Sequence, residues 1–261
     1  MDSLMKKILK FSLSTLLFAG LVMAAIPLAA GEKGAAGHEW SYESDHGPAH
    51  WGDLKPDYVL CKTGKNQSPI DITSASKADL PSIQFAYRPA PLRIINNGHS
   101  IQVNFPEVSF ITVGGKQYQL EQFHFHHPSE ERIKGTNFDM GVHLVHKNAE
   151  GKLAVVGVLL QKGQANPFIE TLWEHLPGEE GKEEVSEKVM IDPSELLPAQ
   201  RGYYTYAGSL TTPPCTEGVT WLVLKTPAKI SPVQVNRFAH FHEHNARPVQ
   251  PLSGRAVFES R

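Results

Sequence analysis

"QYQLEQFHFH", residues 117 to 126, sets imidazoles and phenyl rings in alternation. Side chains of an extended strand point by turns to its two faces. The stretch therefore predicts a strand carrying Leu120, Gln122, His124 and His126 on one face and Glu121, Phe123 and Phe125 on the other, the phenyl rings packed behind the imidazoles. Other stretches share this character: "LRIINN", "SIQVNF", "SFITV", "MGVHLVH", "LAVVGVLLQ", "YYTYAGSL" and "VTWLVLK" are short, rich in β-branched and aromatic residues, and separated by Gly, Pro, Asn or Lys turns. Helix signals are few. Asn166-Pro167 opens a helix expected to run through Leu176, "SPVQ" at 231 to 234 is a capping box opening another through about His242, and "DPSELLP" at 192 to 198 makes one or two turns. The fold expected is mainly β (α+β): one domain with a large, mostly antiparallel twisted sheet and short peripheral helices. No repeat or linker divides the chain, and the charge run "GEEGKEEVSEK" at 178 to 188 is expected to be an acidic surface loop.

His124 and His126 on one strand face have Cα atoms roughly 6 to 7 Å apart, close enough for both rings to converge on one ion. In the next apolar run, "MGVHLVHK", His143 and His146 fall on opposite faces, and pairing beside the first strand would bring His143 to the same point. Three neutral imidazoles with an open fourth position are what catalytic zinc requires. An isolated His-x-His is more often an ordinary pair on a half-polar sheet face, so the pattern by itself is a moderate signal. "AHFHEHN" at 239 to 245 is a rival: on a helix His240 and His244 share a face while His242 points away, and solvated residues at a frayed helix end are the better reading.

The chain has 261 residues and a formal charge of −2. With no Lys/Arg cluster, this argues against nucleic acid or an anionic membrane surface as partner. Lys6, Lys7 and Lys10 precede "FSLSTLLFAGLVMAAIPLAA", which ends in small residues and gives way to polar sequence at Gly31. That is the layout of a secretory signal over residues 1–30, with a mature domain 31–261 that is periplasmic or secreted. Pro27 and the small residues favour cleavage over a stable membrane anchor. In an exported chain the two cysteines, Cys61 and Cys215, read as one disulfide ahead of two free thiols.

Taken in order, "GPAHW" (47–51), "NQSPIDI" (66–72), "NNGHS" (96–100), "QFHFHHPSE" (122–130), "HLVHKN" (143–148), "GSLTTPPCTEGVTW" (208–221) and "RPVQPL" (247–252) resemble the α-class carbonic anhydrases from about Trp40 to Pro251. The two cysteines resemble the bacterial branch, where they form a disulfide. The resemblance implies a zinc site in a cavity on the sheet, with His124, His126 and His143 as ligands, Gln122 holding the outer nitrogen of His124, and the Asn245 carbonyl holding that of His126. It implies that Thr211 and Glu130 orient a zinc-bound hydroxide for attack on CO2, with Thr212 on the same rim. Val145, Val155, Leu210, Val219 and Trp221 would form the dry wall for this apolar substrate, although all five can equally be core. His99 would carry the proton to solvent, with Tyr42, Asn97 and Gln102 ordering water along its route.

Two departures stand out. The family usually has a glutamate two residues before the third ligand, holding its outer N–H, and this chain has Gly141. Glu131 stands where a histidine is common, beside Glu130. The expectation is a weakened hold on His143, with water or Asp139 partly substituting, and a disturbed network around Thr211. The leading function is reversible hydration of CO2 to bicarbonate. The alternatives are a catalytically weakened or non-catalytic binding module on the same fold, and a periplasmic zinc buffer resting on the surplus histidines. Oligomeric state is open, a homodimer included.

Overall fold

The computed structural model describes residues 39–261. The expected signal segment, 1–30, lies outside them. Sixteen strands run in chain order: β1 (Asp71–Ile72), β2 (Ser76–Ala78), β3 (Gln84–Ala86), β4 (Ala90–Asn96), β5 (Ile101–Asn104), β6 (Phe110–Val113), β7 (Lys116–His126) and β8 (Arg132–Ile133) come first. They continue as β9 (Thr136–Asn137), β10 (Met140–Lys147), β11 (Leu153–Lys162), β12 (Glu183–Ile191), β13 (Tyr203–Ser209), β14 (Glu217–Leu224), β15 (Ala228–Ile230) and β16 (Phe258–Ser260). The helices are short: α1 (Trp51–Leu54), α2 (Leu60–Thr63), α3 (Pro167–Trp173) and α4 (Pro232–Ala239), with 3₁₀ turns that include Pro193–Leu196.

Thirteen strands form one sheet along the path β12-β4-β5-β7-β10-β11-β14-β13-β16-β2, with β3, β6 and β15 off it. Pairing is mostly antiparallel, and β11 runs parallel to β14 and β15. The alternation of β7 and β10 decides which face carries what. Phe123, Phe125, Val142 and Leu144 enter a core shared with Phe168, Leu172, Trp173 and Phe238 of α3 and α4, and each such side chain contributes about 1.5 to 3 kcal/mol when fully buried. His124, His126, His143 and Val145 take the opposite face. Side chains cap both helices: Asn166 accepts from the Ile169 N–H, and Ser231 with Gln234 makes the expected capping box.

Three expectations need correction. Leu120 does not share the histidine face. The β7–β10 register shifts between Val145 and His146, so that Val145 faces Gln122 while His146 faces Leu120. Glu121 is the extra residue of this bulge, and it turns Leu120 into the core. The acidic run is not all loop, because β12 spans Glu183–Ile191 and pairs with β4 at the end of the sheet path. Its exposed charges suit an edge strand, where they discourage further pairing. The helices stop sooner than expected, at Trp173 and Ala239, so the 240–244 segment is not helical.

Candidate metal centre

β7 and β10 pair antiparallel with His124 opposite His143 and His126 opposite Gly141. Register thus places one imidazole across from another. Ring centroids are 5.0 Å apart for His124–His126, 5.5 Å for His124–His143 and 4.5 Å for His126–His143. One nitrogen from each ring lies within 4.8 Å of the others, and no other group of His, Cys, Asp or Glu among the described residues could hold a metal ion in this way.

Each ring is held from outside. His124 Nδ1 is 2.8 Å from Gln122 Oε1, His126 Nδ1 is 2.8 Å from the Asn245 carbonyl, and His143 Nε2 is 3.1 Å from each oxygen of Glu131. Carbonyl and carboxylate oxygens only accept, so in the neutral rings these nitrogens carry the protons. The lone pairs then sit on His124 Nε2, His126 Nε2 and His143 Nδ1, turned to a common point. His126 Nε2 is buried and has no hydrogen-bond partner, and the same holds for Glu130 Oε2. That oxygen lies 3.6 Å from His126 Nε2 and 3.8 Å from His143 Nδ1. Orphaned lone pairs converging in a buried place are costly unless something positive sits among them, and three imidazole nitrogens with a carboxylate beyond suit zinc.

Protonation favours the same occupant at two of the three rings. Burial, and then the nearby His143, lower His124 to about 3, and burial holds His126 well below the usual histidine range. Both are neutral donors at ordinary pH. His143 differs: burial would lower it, but the charge and hydrogen bond of Glu131, aided by Glu130, raise it. Burial lifts Glu130 to about 7 against the opposing pull of His143. Glu130 Oε1 accepts from the Arg247 backbone N–H at 2.7 Å, and that bond and the nearby Thr211 side chain both pull the carboxyl back down.

The apolar residues lie beside this point in one cluster. Val155, Val219 and Trp221 are buried, with Val145 and Leu210 partly buried against them. Val145 pairs with Val155 and Val155 with Trp221, whose ring centroid is 4.8 Å from that of His143. Thr212 is half-buried in the turn after Leu210. His99 sits on the loop between β4 and β5, its ring stacked on Trp40 at 3.6 Å, and it lines a cavity of about 620 Å³ with Tyr42, His242 and Asn245. Asn97 Nδ2 donates to Gln102 Oε1 at 3.2 Å, and Gln102 pairs directly with His124.

The family model for eukaryotic-type carbonic anhydrase matches residues 46–261. The chain belongs to the carbonic anhydrase family. A carbonic anhydrase of Neisseria gonorrhoeae is 44% identical over 245 residues, covering 93% of this chain and 96% of that protein. One from Nostoc sp. is 44% identical over 226 residues, covering 85% and 86%. The α-carbonic anhydrase of Thermovibrio ammonificans, solved with the inhibitor sulfanilamide, superposes with a TM-score of 0.82 at 44% identity over 84% of this chain and 98% of that one.

Cys61 and Cys215 form a disulfide, and among the described residues no helix is long and apolar enough to cross a membrane. His146 takes the opposite face from His143, its Nε2 2.8 Å from the Tyr87 hydroxyl and its Nδ1 3.3 Å from the Ala154 carbonyl. The outer nitrogen of His143, which Gly141 has no side chain to hold, is taken by Glu131 instead. Asp139 is no substitute: its carboxylate takes the Lys162 N–H at 2.7 Å and the Lys162 ammonium at 3.2 Å. The adjacent glutamates take different hydrogen-bond partners, Glu130 the Arg247 N–H and Glu131 the His143 ring, while the like charge of Glu131 helps to raise Glu130. Arg247 escaped the sequence reading altogether. Besides its backbone contact to Glu130, its guanidinium ties Gln67, Ser68 and the Cys61 carbonyl together, and its only sequence signal was membership of the "RPVQPL" stretch.

Proposed function

We propose that the chain is an exported zinc enzyme that hydrates carbon dioxide reversibly to bicarbonate and a proton. The observation that carries this reading is the convergence of three imidazoles, each with its outer nitrogen already committed. His124 Nε2, His126 Nε2 and His143 Nδ1 would hold the metal. When bound, zinc supplies the Lewis acidity that makes a water nucleophilic near neutral pH, an effect for which carbonic anhydrase is itself the standard illustration. The chain's own groups do the rest. Glu130, fixed by the Arg247 N–H, accepts from Thr211, which leaves the Thr211 oxygen as an acceptor that aims the attacking group. The wall of Val145, Val155, Leu210, Val219 and Trp221 excludes water beside His143 and gives an uncharged, apolar substrate somewhere to rest, with Thr212 at its rim. His99, which lines a cavity with Tyr42 and Asn245, takes the product proton outward, a task suited to histidine among the side chains.

The disulfide and the apolar leader over residues 1–30 support export to a periplasmic or extracellular space. The test pairs metal content with stopped-flow CO2 hydration of the purified protein. One tightly held zinc per chain with rapid hydration is expected; a folded chain that takes up no zinc overturns the proposal. His99→Ala should keep its zinc yet turn over more slowly at low buffer concentration, with partial rescue by small imidazole buffers. An unchanged rate at low buffer removes His99 from the proton path.

A further inference from the structure

We infer that Glu131 is a positioning residue of the metal centre: it holds the outer nitrogen of His143 from the loop ahead of β8, and Gly141 is the complement that makes room for this arrangement. The inference rests on the proposed zinc site and concerns how this chain builds it. Glu131 is fully buried, and both its oxygens stand 3.1 Å from His143 Nε2. A carboxylate is costly to bury unless it is paired and hydrogen-bonded, and the partner it has found is the ring of the third ligand.

Its backbone is clamped. Ser129 Oγ donates to the Glu131 carbonyl at 3.0 Å and accepts from the Phe138 N–H at 2.9 Å. The following N–H, of Arg132, bonds to the Ile70 carbonyl at 3.3 Å where β8 pairs with β1. A clamped acceptor of this kind fixes the tautomer and aim of an imidazole as well as a neighbour on the same strand could. The loop therefore delivers two consecutive carboxylates to one centre, Glu130 toward the Thr211 side and Glu131 behind His143.

Gly141 occupies the same strand face as His143, two residues before it. A Cβ built there would lie 3.5 Å from Ser129 Cα and Cβ and 3.9 Å from the Glu130 nitrogen, which is ordinary contact. A methyl group fits. An acidic side chain there would set a second buried carboxylate near the first, where like charges oppose each other. The two positions should therefore show opposite dependence: a carboxylate is useful at one or the other and harmful at both.

The experiment measures zinc affinity by competition with a chromophoric chelator, on full-length folded protein with its disulfide intact. Glu131→Met keeps the volume and removes the acceptor, and it should lose about 10-fold to 100-fold in zinc affinity. Glu131→Gln keeps a carbonyl acceptor and should retain most of it. Gly141→Glu alone should hold zinc less tightly than the native chain, whereas Glu131→Met with Gly141→Glu should regain part of what Glu131→Met lost. A ring ¹H–¹⁵N spectrum of the zinc-loaded protein supplies a readout independent of affinity, a slowly exchanging His143 Nε2–H that vanishes in Glu131→Met. Native affinity in Glu131→Met, Gln as weak as Met, or a double variant no tighter than Glu131→Met overturns the inference while leaving the zinc site standing. A native chain that binds no zinc overturns both.

Discussion

Two regions of this protein each supply three histidines, and only one gathers them. In β7 and β10, antiparallel register puts His124 across from His143, and the period of two keeps His126 on the same face. In the 240–244 segment, helix α4 ends at Ala239. His240 and His244 are exposed, and half-buried His242 reaches Asn96 Oδ1 at 3.0 Å. The difference is one of scaffold: a sheet fixes spacing through pairing, and neighbouring chain supplies an acceptor for every outer nitrogen. A helix end does neither. Histidine density in a sequence is thus a poor guide to metal binding unless a rigid element sets the direction of each ring.

The largest expected effect comes from breaking the ordered cluster. His143→Ala should lose at least about 100-fold in zinc affinity, since the proposed zinc site would lose one of its three imidazoles. CO2 hydration should fall to background, with the fold retained. Zinc analysis after dialysis against a weak chelator checks this, and a native zinc content would show that other residues hold the ion.

The disulfide separates the two clusters. The Cys61–Cys215 link has a sequence separation of 154, and the loop it closes contains His124, His126 and His143 but not His240, His242 or His244. Chain entropy for such a loop gives up to about 5 kcal/mol of stabilisation. Reduction, or Cys61→Ser, should lower the melting temperature while folded protein still carries zinc. Two free thiols in native material, found by mass spectrometry, would contradict the link.

A fourth histidine of the ordered region sharpens the contrast between the faces of one strand. Burial, only partly offset by hydrogen bonds to backbone carbonyls, pushes His146 down to about 3. Its folded pKa lies below the unfolded value, so the unfolded chain binds the extra proton between these two values. The stability from keeping His146 neutral is complete above about pH 6.5 and is lost as pH falls toward 3. At pH 5 the loss is about 2 kcal/mol for this residue. Urea denaturation at pH 7.5 and 5 on metal-free native protein and His146→Gln checks the slope, which should be shallower in the variant. Equal slopes would mean that His146 is already protonated in the fold.

Much of this architecture was legible because its signals are local. Alternation in 117–126 gave the strand and its two faces, and the capping residues at Asn166 and Ser231 gave both helix starts. What failed depended on pairing. The bulge at Glu121 that turns Leu120 inward exists only against β10, and the 183–191 segment is a strand only because β4 accepts it. The helix ends were overrun because no glycine or proline directly follows Trp173 or Ala239. Glu131 is the instructive miss. A family pattern places the acceptor of His143 on its own strand, so an adjacent pair of glutamates read as a disturbance. Only the path of the 129–131 loop shows that the second carboxylate reaches the third ring.

The smallest effects belong to the ungathered cluster, and they decide whether it is a reservoir for metal. His240 and His244 are solvated, and substitution of exposed residues away from caps and networks shifts stability by no more than about 0.5 kcal/mol. His242→Ala removes a hydrogen bond to Asn96 and a ring contact with Phe238, for a loss of about 1 kcal/mol. None of the three changes should alter the number of zinc ions held per chain, because three rings without common direction offer no shared point for an ion to occupy. Equilibrium dialysis at micromolar free zinc, on the native chain and on the triple alanine variant, measures this directly. Two or more ions on the native chain, reduced to one in the variant, would mean that the segment reorganises around metal and that a sheet is not needed to gather it.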